Sequence, residues 1–91
     1  MIEIKNFIGG KLIEPLSKKY LDNFNPAIGE IYAKIPASNE NDVELAVRSA
    51  KEIFPVWSNT PAEERCKILL KIADKIDEQL LFLAETESID N

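Results

Sequence analysis

The spacing of apolar residues changes at Pro36, and that change limits the folds open to this chain. Before Pro36 apolar residues come in short runs broken by turn formers; after it they recur at three- and four-residue steps. Phe7-Ile8-Gly9-Gly10-Lys11-Leu12-Ile13 predicts a tight hairpin, because adjacent glycines supply the positive φ that such a turn requires. Tyr20-Leu21-Asp22-Asn23-Phe24 predicts a strand that ends at the turn Asn25-Pro26-Ala27-Ile28-Gly29, where proline sets φ and glycine closes the bend. Glu30 to Pro36 alternates polar and apolar residues, carries Ile31, Tyr32 and Ile35, and reads as the returning strand. Two successive β-hairpins therefore occupy residues 1–36.

Beyond Pro36 the period is helical. Val43, Ala46, Val47, Ala50, Ile53 and Phe54 fall on one face. Ser38 or Asn39 can cap this helix, Glu40, Asp42 and Glu44 suit its positive end, and Pro55 is expected to stop it. Thr60-Pro61-Ala62-Glu63 has the pattern of a capping box with proline at the first helical position. Ala62, Cys66, Leu69, Leu70, Ala73 and Ile76 continue the stripe, and a further helical stretch over about residues 78–88 is either separate or continuous with it. The expected architecture is α/β: hairpins over residues 1–36, then two or three amphipathic helices forming a layer over residues 37–91. A chain of 91 residues is long enough for one small domain and too short for two.

The apolar surface exceeds what these elements can cover. Ile68 and Ile72 lie off the main stripe, and Leu81 and Phe82 widen the last helix. Fully burying each such side chain contributes roughly 1.5–3 kcal/mol, yet two hairpins and three helices offer little surface to bury them all. The segment is expected to meet a further surface, from the rest of a longer chain or from another subunit. If Leu70 is core, Leu70→Ala costs about 2–5 kcal/mol.

Charge and composition remove several functions. The net charge is −5, with +2 over residues 1–20 and hence −7 over the rest; such a balance repels phosphate backbones and disfavours nucleic acid. No stretch approaches the roughly 20 apolar residues that span a bilayer, and Met1 to Lys5 does not open a secretory leader. A single cysteine, Cys66, permits no intrachain disulfide and suits a reducing, cytoplasmic setting.

The chain contains no histidine, which removes the commonest general base and metal ligand. Its three glycines, Gly9, Gly10 and Gly29, build no phosphate-binding or nucleophile-elbow motif. Cys66 sits mid-helix without a base nearby in sequence and reads as a buried structural thiol. Lys67, Lys71 and Lys75 mark a solvated face, Trp57 an anchor for the turn between helices, and Glu87 and Asp90 the decoration of a helix end. Acids in a last helical turn oppose the helix dipole, a conflict that a cation would relieve.

The order of these pieces resembles the start of the aldehyde dehydrogenase superfamily. The resemblance is carried by Asn6-Phe7-Ile8-Gly9-Gly10-Lys11, then Asn25-Pro26-Ala27-Ile28-Gly29-Glu30, then Asp42-Val43 through Ala46-Val47 and Ala50. Phe54-Pro55-Val56-Trp57-Ser58, Pro61-Ala62-Glu63-Glu64-Arg65, Ile68 to Asp74 and Glu87-Ser88-Ile89-Asp90-Asn91 complete it. It implies that residues 1–91 are the N-terminal part of a cofactor-binding domain in a longer enzyme. That parent would oxidise an aldehyde to a carboxylic acid with NAD or NADP, through a cysteine thiolate. The family's nucleophile, glutamate base, oxyanion-hole asparagine and dinucleotide-binding residues all lie downstream. No catalytic or cofactor-binding residue maps here, Cys66 does not match the nucleophile, and the segment alone is expected to be inactive and to bind no nucleotide.

One family site does reach the segment. Several members hold a monovalent cation through two backbone carbonyls and an aspartate, positions that match Asn23, Phe24 and Asp90, with Asn23 replacing the commoner threonine. Glu30 to Pro36 and the Phe-Pro-Val-Trp-Ser turn are most similar to muconic-semialdehyde dehydrogenases. Expected partners are the remainder of such a chain or a second copy. The competing expectation is a non-catalytic interaction or self-association module derived from that family.

Overall fold

The computed structural model describes residues 2–91. Its strands are β1 (Ile2–Glu3), β2 (Asn6–Ile8), β3 (Lys11–Ile13), β4 (Tyr20–Asn25) and β5 (Glu30–Pro36). The helices α1 (Glu40–Ser58), α2 (Ala62–Glu78) and α3 (Leu80–Asp90) follow. Both expected hairpins form. In the first, β2 and β3 pair antiparallel with Phe7 opposite Leu12, and Gly9 and Gly10 both take positive φ, +60° and +79°. A two-residue loop with that pair of angles matches the right-handed twist of the strands it joins.

In the second hairpin β4 and β5 pair antiparallel from Tyr20–Pro36 to Asn25–Glu30. Its turn is closed by Asn25, whose side chain accepts from the Ala27 N–H (3.0 Å) and whose carbonyl accepts from Gly29 (2.8 Å). Sequence pattern did not anticipate β1, which adds parallel to the other edge of β5 and makes the sheet order β1-β5-β4. Two residues are too few to carry an alternation, so this pairing has no signature to read.

Helix α1 begins at Asn39, one of the two expected caps. The Asn39 side chain accepts from the Asn41 N–H (2.9 Å), and Asp42 Oδ2 accepts from the Asn39 N–H (3.0 Å). Asp42 does more than favour the dipole: its other oxygen accepts from the Leu16 N–H at 2.8 Å, and the residue is only 3% exposed. It therefore ties the loop between the hairpins to the first turn of α1, next to fully buried Pro15. Ile8, Pro15 and Ala33 are the buried apolar residues among those described.

Two local expectations need correction, and one open alternative is resolved. Pro55 does not stop α1, which continues to Ser58. The carbonyls freed near its end are met by side chains: Asn59 Nδ2 donates to Pro55 O (2.7 Å) and Thr60 Oγ1 to Val56 O (2.8 Å). Because the Thr60 hydroxyl is used there, it builds no capping box for α2, whose cap is Pro61, without a side-chain hydrogen bond. At Gln79 (φ −104°, ψ 14°) the helical path breaks, so α3 is separate from α2.

The larger correction concerns burial. No residue of α2 or α3 is buried; Leu70 is 60% exposed and the Cys66 thiol is exposed as well, so neither is core within this chain. Trp57 is 40% exposed. The shape explains this. The radius of gyration is 16.7 Å, against about 12 Å for a compact domain of this length, with extents of 48 × 34 × 16 Å. Helix α1 meets the first hairpin, α3 meets α2 and β4, and the long flanks of α2 face outward.

Asp42→Ala removes the acceptor of two backbone N–H groups at once. The expected loss is roughly 2–3 kcal/mol of unfolding free energy, measured by urea denaturation of the protein in its full natural length. A loss below half a kcal/mol would show that water replaces the carboxylate without penalty.

Candidate cation site at the end of α3

Asn23 and Phe24 lie on β4 and Asp90 at the end of α3, far apart in sequence, and the structure bonds Asn23 to Asp90. The register of β4 on β5 shifts between Asn23, opposite Ala33, and Phe24, opposite Ile31. Tyr32 is thus the extra residue of a β-bulge. In a regular ladder Tyr32 would point to the face opposite Ala33 and Asn23; a bulge re-aims such a side chain. Here Asn23 Nδ2 donates to Tyr32 Oη at 3.0 Å.

Asp90 closes the group from the end of α3. Its Oδ1 accepts from Asn23 Nδ2 at 2.9 Å and from the Tyr32 hydroxyl. These bonds tether the last turn of α3 to the second hairpin. They also answer the dipole conflict in part: no basic residue lies in that last turn, and two neutral donors approach the acid instead. Hydrogen bonds from Tyr32 first and Asn23 second hold the Asp90 carboxyl below its ordinary value of 3.8, with desolvation opposing them. The Tyr32 phenol is pushed above 10.0 mainly by the same bond to Asp90, then by desolvation and the carboxylate charge.

Glu87 is not part of this group. Its carboxylate is engaged by the Asn91 side-chain amide, so Glu87 and Asp90 have separate partners and form no acid–base pair. Phe24 follows Asn23 at the bulge and is half exposed. Tyr32 is the member that sequence pattern missed. Alternation marked it as an aromatic strand residue, and nothing in the letters around it signals a bulge.

The donor set expected from the resemblance is the Asp90 carboxylate with the backbone carbonyls of Asn23 and Phe24. Among the described residues no group of three or more His, Cys, Asp or Glu side chains gathers. Hard oxygen donors with a single full charge suit a weakly held hard cation and suit zinc or copper poorly. Elsewhere, a groove of about 570 Å³ separates the Gly9-Gly10 tip from α1; Ser49 and Glu52 provide its polar side chains against Phe7, Ile8, Ala46 and Ile53. That lining lacks the convergent polar groups of a reaction site. Among the described residues no helix is long and apolar enough to cross a membrane.

A hairpin pair feeding three helices is an arrangement already seen in solved structures. PnpE from Pseudomonas sp. WBC-3 superposes with a TM-score of 0.92 at 36% identity, over 97% of this chain and 18% of that one. A structure of PnpE in complex with nicotinamide adenine dinucleotide superposes at 0.91 with 37% identity, over 94% of this chain and 18% of its own. The model of the aldehyde dehydrogenase family matches residues 13–91, and the chain belongs to that family. The 2-aminomuconic semialdehyde dehydrogenase of Mus musculus is 39% identical over 99% of this chain, and that of Danio rerio 45% over 96%. An aldehyde dehydrogenase of Deinococcus radiodurans is 42% identical over 94%. The chain spans about 18% of the length of the curated relatives it matches.

The pKa directions give a testable pH dependence. Stability from the lowered Asp90 carboxyl is present above 3.8 and lost as pH falls through its folded value. Stability from the raised Tyr32 phenol is present below 10.0 and lost as pH rises through its folded value. In a spectrophotometric tyrosine titration, Asp90→Asn is expected to bring Tyr32 ionisation back toward 10.0. An unchanged titration curve would mean that the two groups do not interact in solution.

Proposed function

We propose that this chain is the N-terminal scaffold segment of an enzyme that oxidises an aldehyde to a carboxylic acid with NAD(P)+. The family match over residues 13–91 carries this reading. Relatives named for 2-aminomuconic semialdehyde support a muconic-type semialdehyde as the substrate class, and the nucleotide in a PnpE structure supports a nicotinamide cofactor. When bound, NAD(P)+ accepts the hydride of that oxidation. The segment supplies neither nucleophile nor base: it holds no histidine, and Cys66 is an exposed thiol on a helix flank. Alone, it is inactive and binds no nucleotide.

Its role is architectural. The bare flanks of α2 and α3, including Leu69, Leu70, Ile72 and Phe82, are covered by the remainder of the dehydrogenase chain. That much aliphatic surface is costly to leave in water. The bulge at Asn23 and Phe24, with Asp90, holds a monovalent cation that braces α3 against the second hairpin. The enzyme works in the cytoplasm, a reading supported by the free thiol of Cys66 in this segment.

The protein in its full natural length is expected to reduce NAD+ or NADP+ when given a muconic-type semialdehyde, followed by nicotinamide absorbance. The 91-residue chain alone should give no signal. Turnover by the isolated chain, or none with any aldehyde by the natural-length protein, would refute the assignment. In the natural-length protein Leu70→Ala is expected to cost about 2–5 kcal/mol by denaturant unfolding. A cost near zero would mean that the α2 flank stays open to solvent.

A further inference from the structure

We infer that Tyr32 is a positioning residue of the cation site: with the Asn23 amide, its hydroxyl holds Oδ1 of Asp90 and reserves Oδ2 for the ion. This deepens the cation reading proposed above and rests on it. The three groups form a closed triangle, Asn23 Nδ2 to Tyr32 Oη (3.0 Å), Asn23 Nδ2 to Asp90 Oδ1 (2.9 Å) and Tyr32 Oη to Asp90 Oδ1. An amide has two N–H donors and a phenol one O–H and free lone pairs, so every proton in the triangle is assigned. Both bonds fall on one carboxylate oxygen, and among the described residues Oδ2 accepts none.

The charge arrangement supports the same conclusion. The donors to Asp90 are neutral, so its full negative charge remains for a cation. Lys34, on the strand that carries Tyr32, pairs with Asp22 at 3.8 Å. The last turn of α3 contributes no basic side chain. An exposed carboxylate at a helix end otherwise rotates freely, and ordering it on binding costs entropy. Tyr32, half-buried and set by the bulge, takes up that cost in advance, as partners of metal ligands commonly do.

A plain tether and a positioning residue give different results. The test compares the natural-length protein with its Tyr32→Phe, Asn23→Ala and Asp90→Asn variants, melted across a KCl series at constant ionic strength in choline chloride. KCl is expected to raise the melting temperature of the parent, and Asp90→Asn to abolish that response. Tyr32→Phe is expected to move the half-saturating KCl concentration upward by about tenfold, the effect typical of a lost partner to a metal ligand. Asn23→Ala, which keeps both carbonyl ligands, should move it the same way. A Tyr32→Phe variant that melts lower by the same amount at every KCl concentration, with an unchanged midpoint, overturns the inference and leaves Tyr32 a tether. A parent indifferent to KCl, with no anomalous peak near Asp90 in rubidium-soaked crystals, removes the cation reading itself and this inference with it.

Discussion

The fold of this segment depends on one buried carboxylate. Asp42 accepts from Asn39 within its own helix and from Leu16 across 26 residues of chain. The first bond starts α1; the second brings the loop between the hairpins against it. Both donors are backbone N–H groups, which are costly to bury unpaired, so each bond is replaced only by water or by disorder of the loop. Without this tie the two small sheets and the helical layer would share little more than Ile8, Ala33 and Pro15 as buried contacts.

Asp90 closes the other end, and the two acids show how position decides chemistry. Asp42 is enclosed and meets backbone donors in helix-capping geometry. Asp90 is exposed, lies at the negative end of α3 and meets a phenol and an amide. A carboxylate at a helix start is favoured by the dipole; one at a helix end is opposed by it. Asp90 is therefore the acid that needs an outside partner, which the sheet provides through Asn23 and Tyr32. Between these two ties, α2 has little within the chain to pack against, which is why Leu70 and Cys66 fall on an open surface.

That openness gives the family relationship its structural meaning. The segment superposes closely on an equally long part of the PnpE structures and covers about 18% of their length. Its form is elongated and the flanks of α2 are bare, so more apolar surface stays open than its own elements cover. Amphipathic stripes too wide for the elements present already signalled this, at Ile68, Ile72, Leu81 and Phe82. The signal said that a partner surface is needed. It said nothing of which flank stays open.

Local chemistry by itself determined both hairpins, the Asn39 start of α1 and the helical layer, because glycine pairs, an Asn-Pro turn, a capping residue and residue spacing act over a few positions. Resemblance assigned Asn23 and Asp90 to one expected cation site, but the bond between their side chains came only with the tertiary structure. Tertiary structure alone decided the β1 edge pairing, the passage of α1 through Pro55, the exposure of the stripe on α2 and the bond from Asp42 to Leu16. It alone brought Tyr32 to Asp90. Each of these depends on what stands opposite a residue in space: a free carbonyl met by Asn59, a bulge that turns a ring, a flank with nothing over it. A one-dimensional pattern records which face a side chain occupies and not what that face meets.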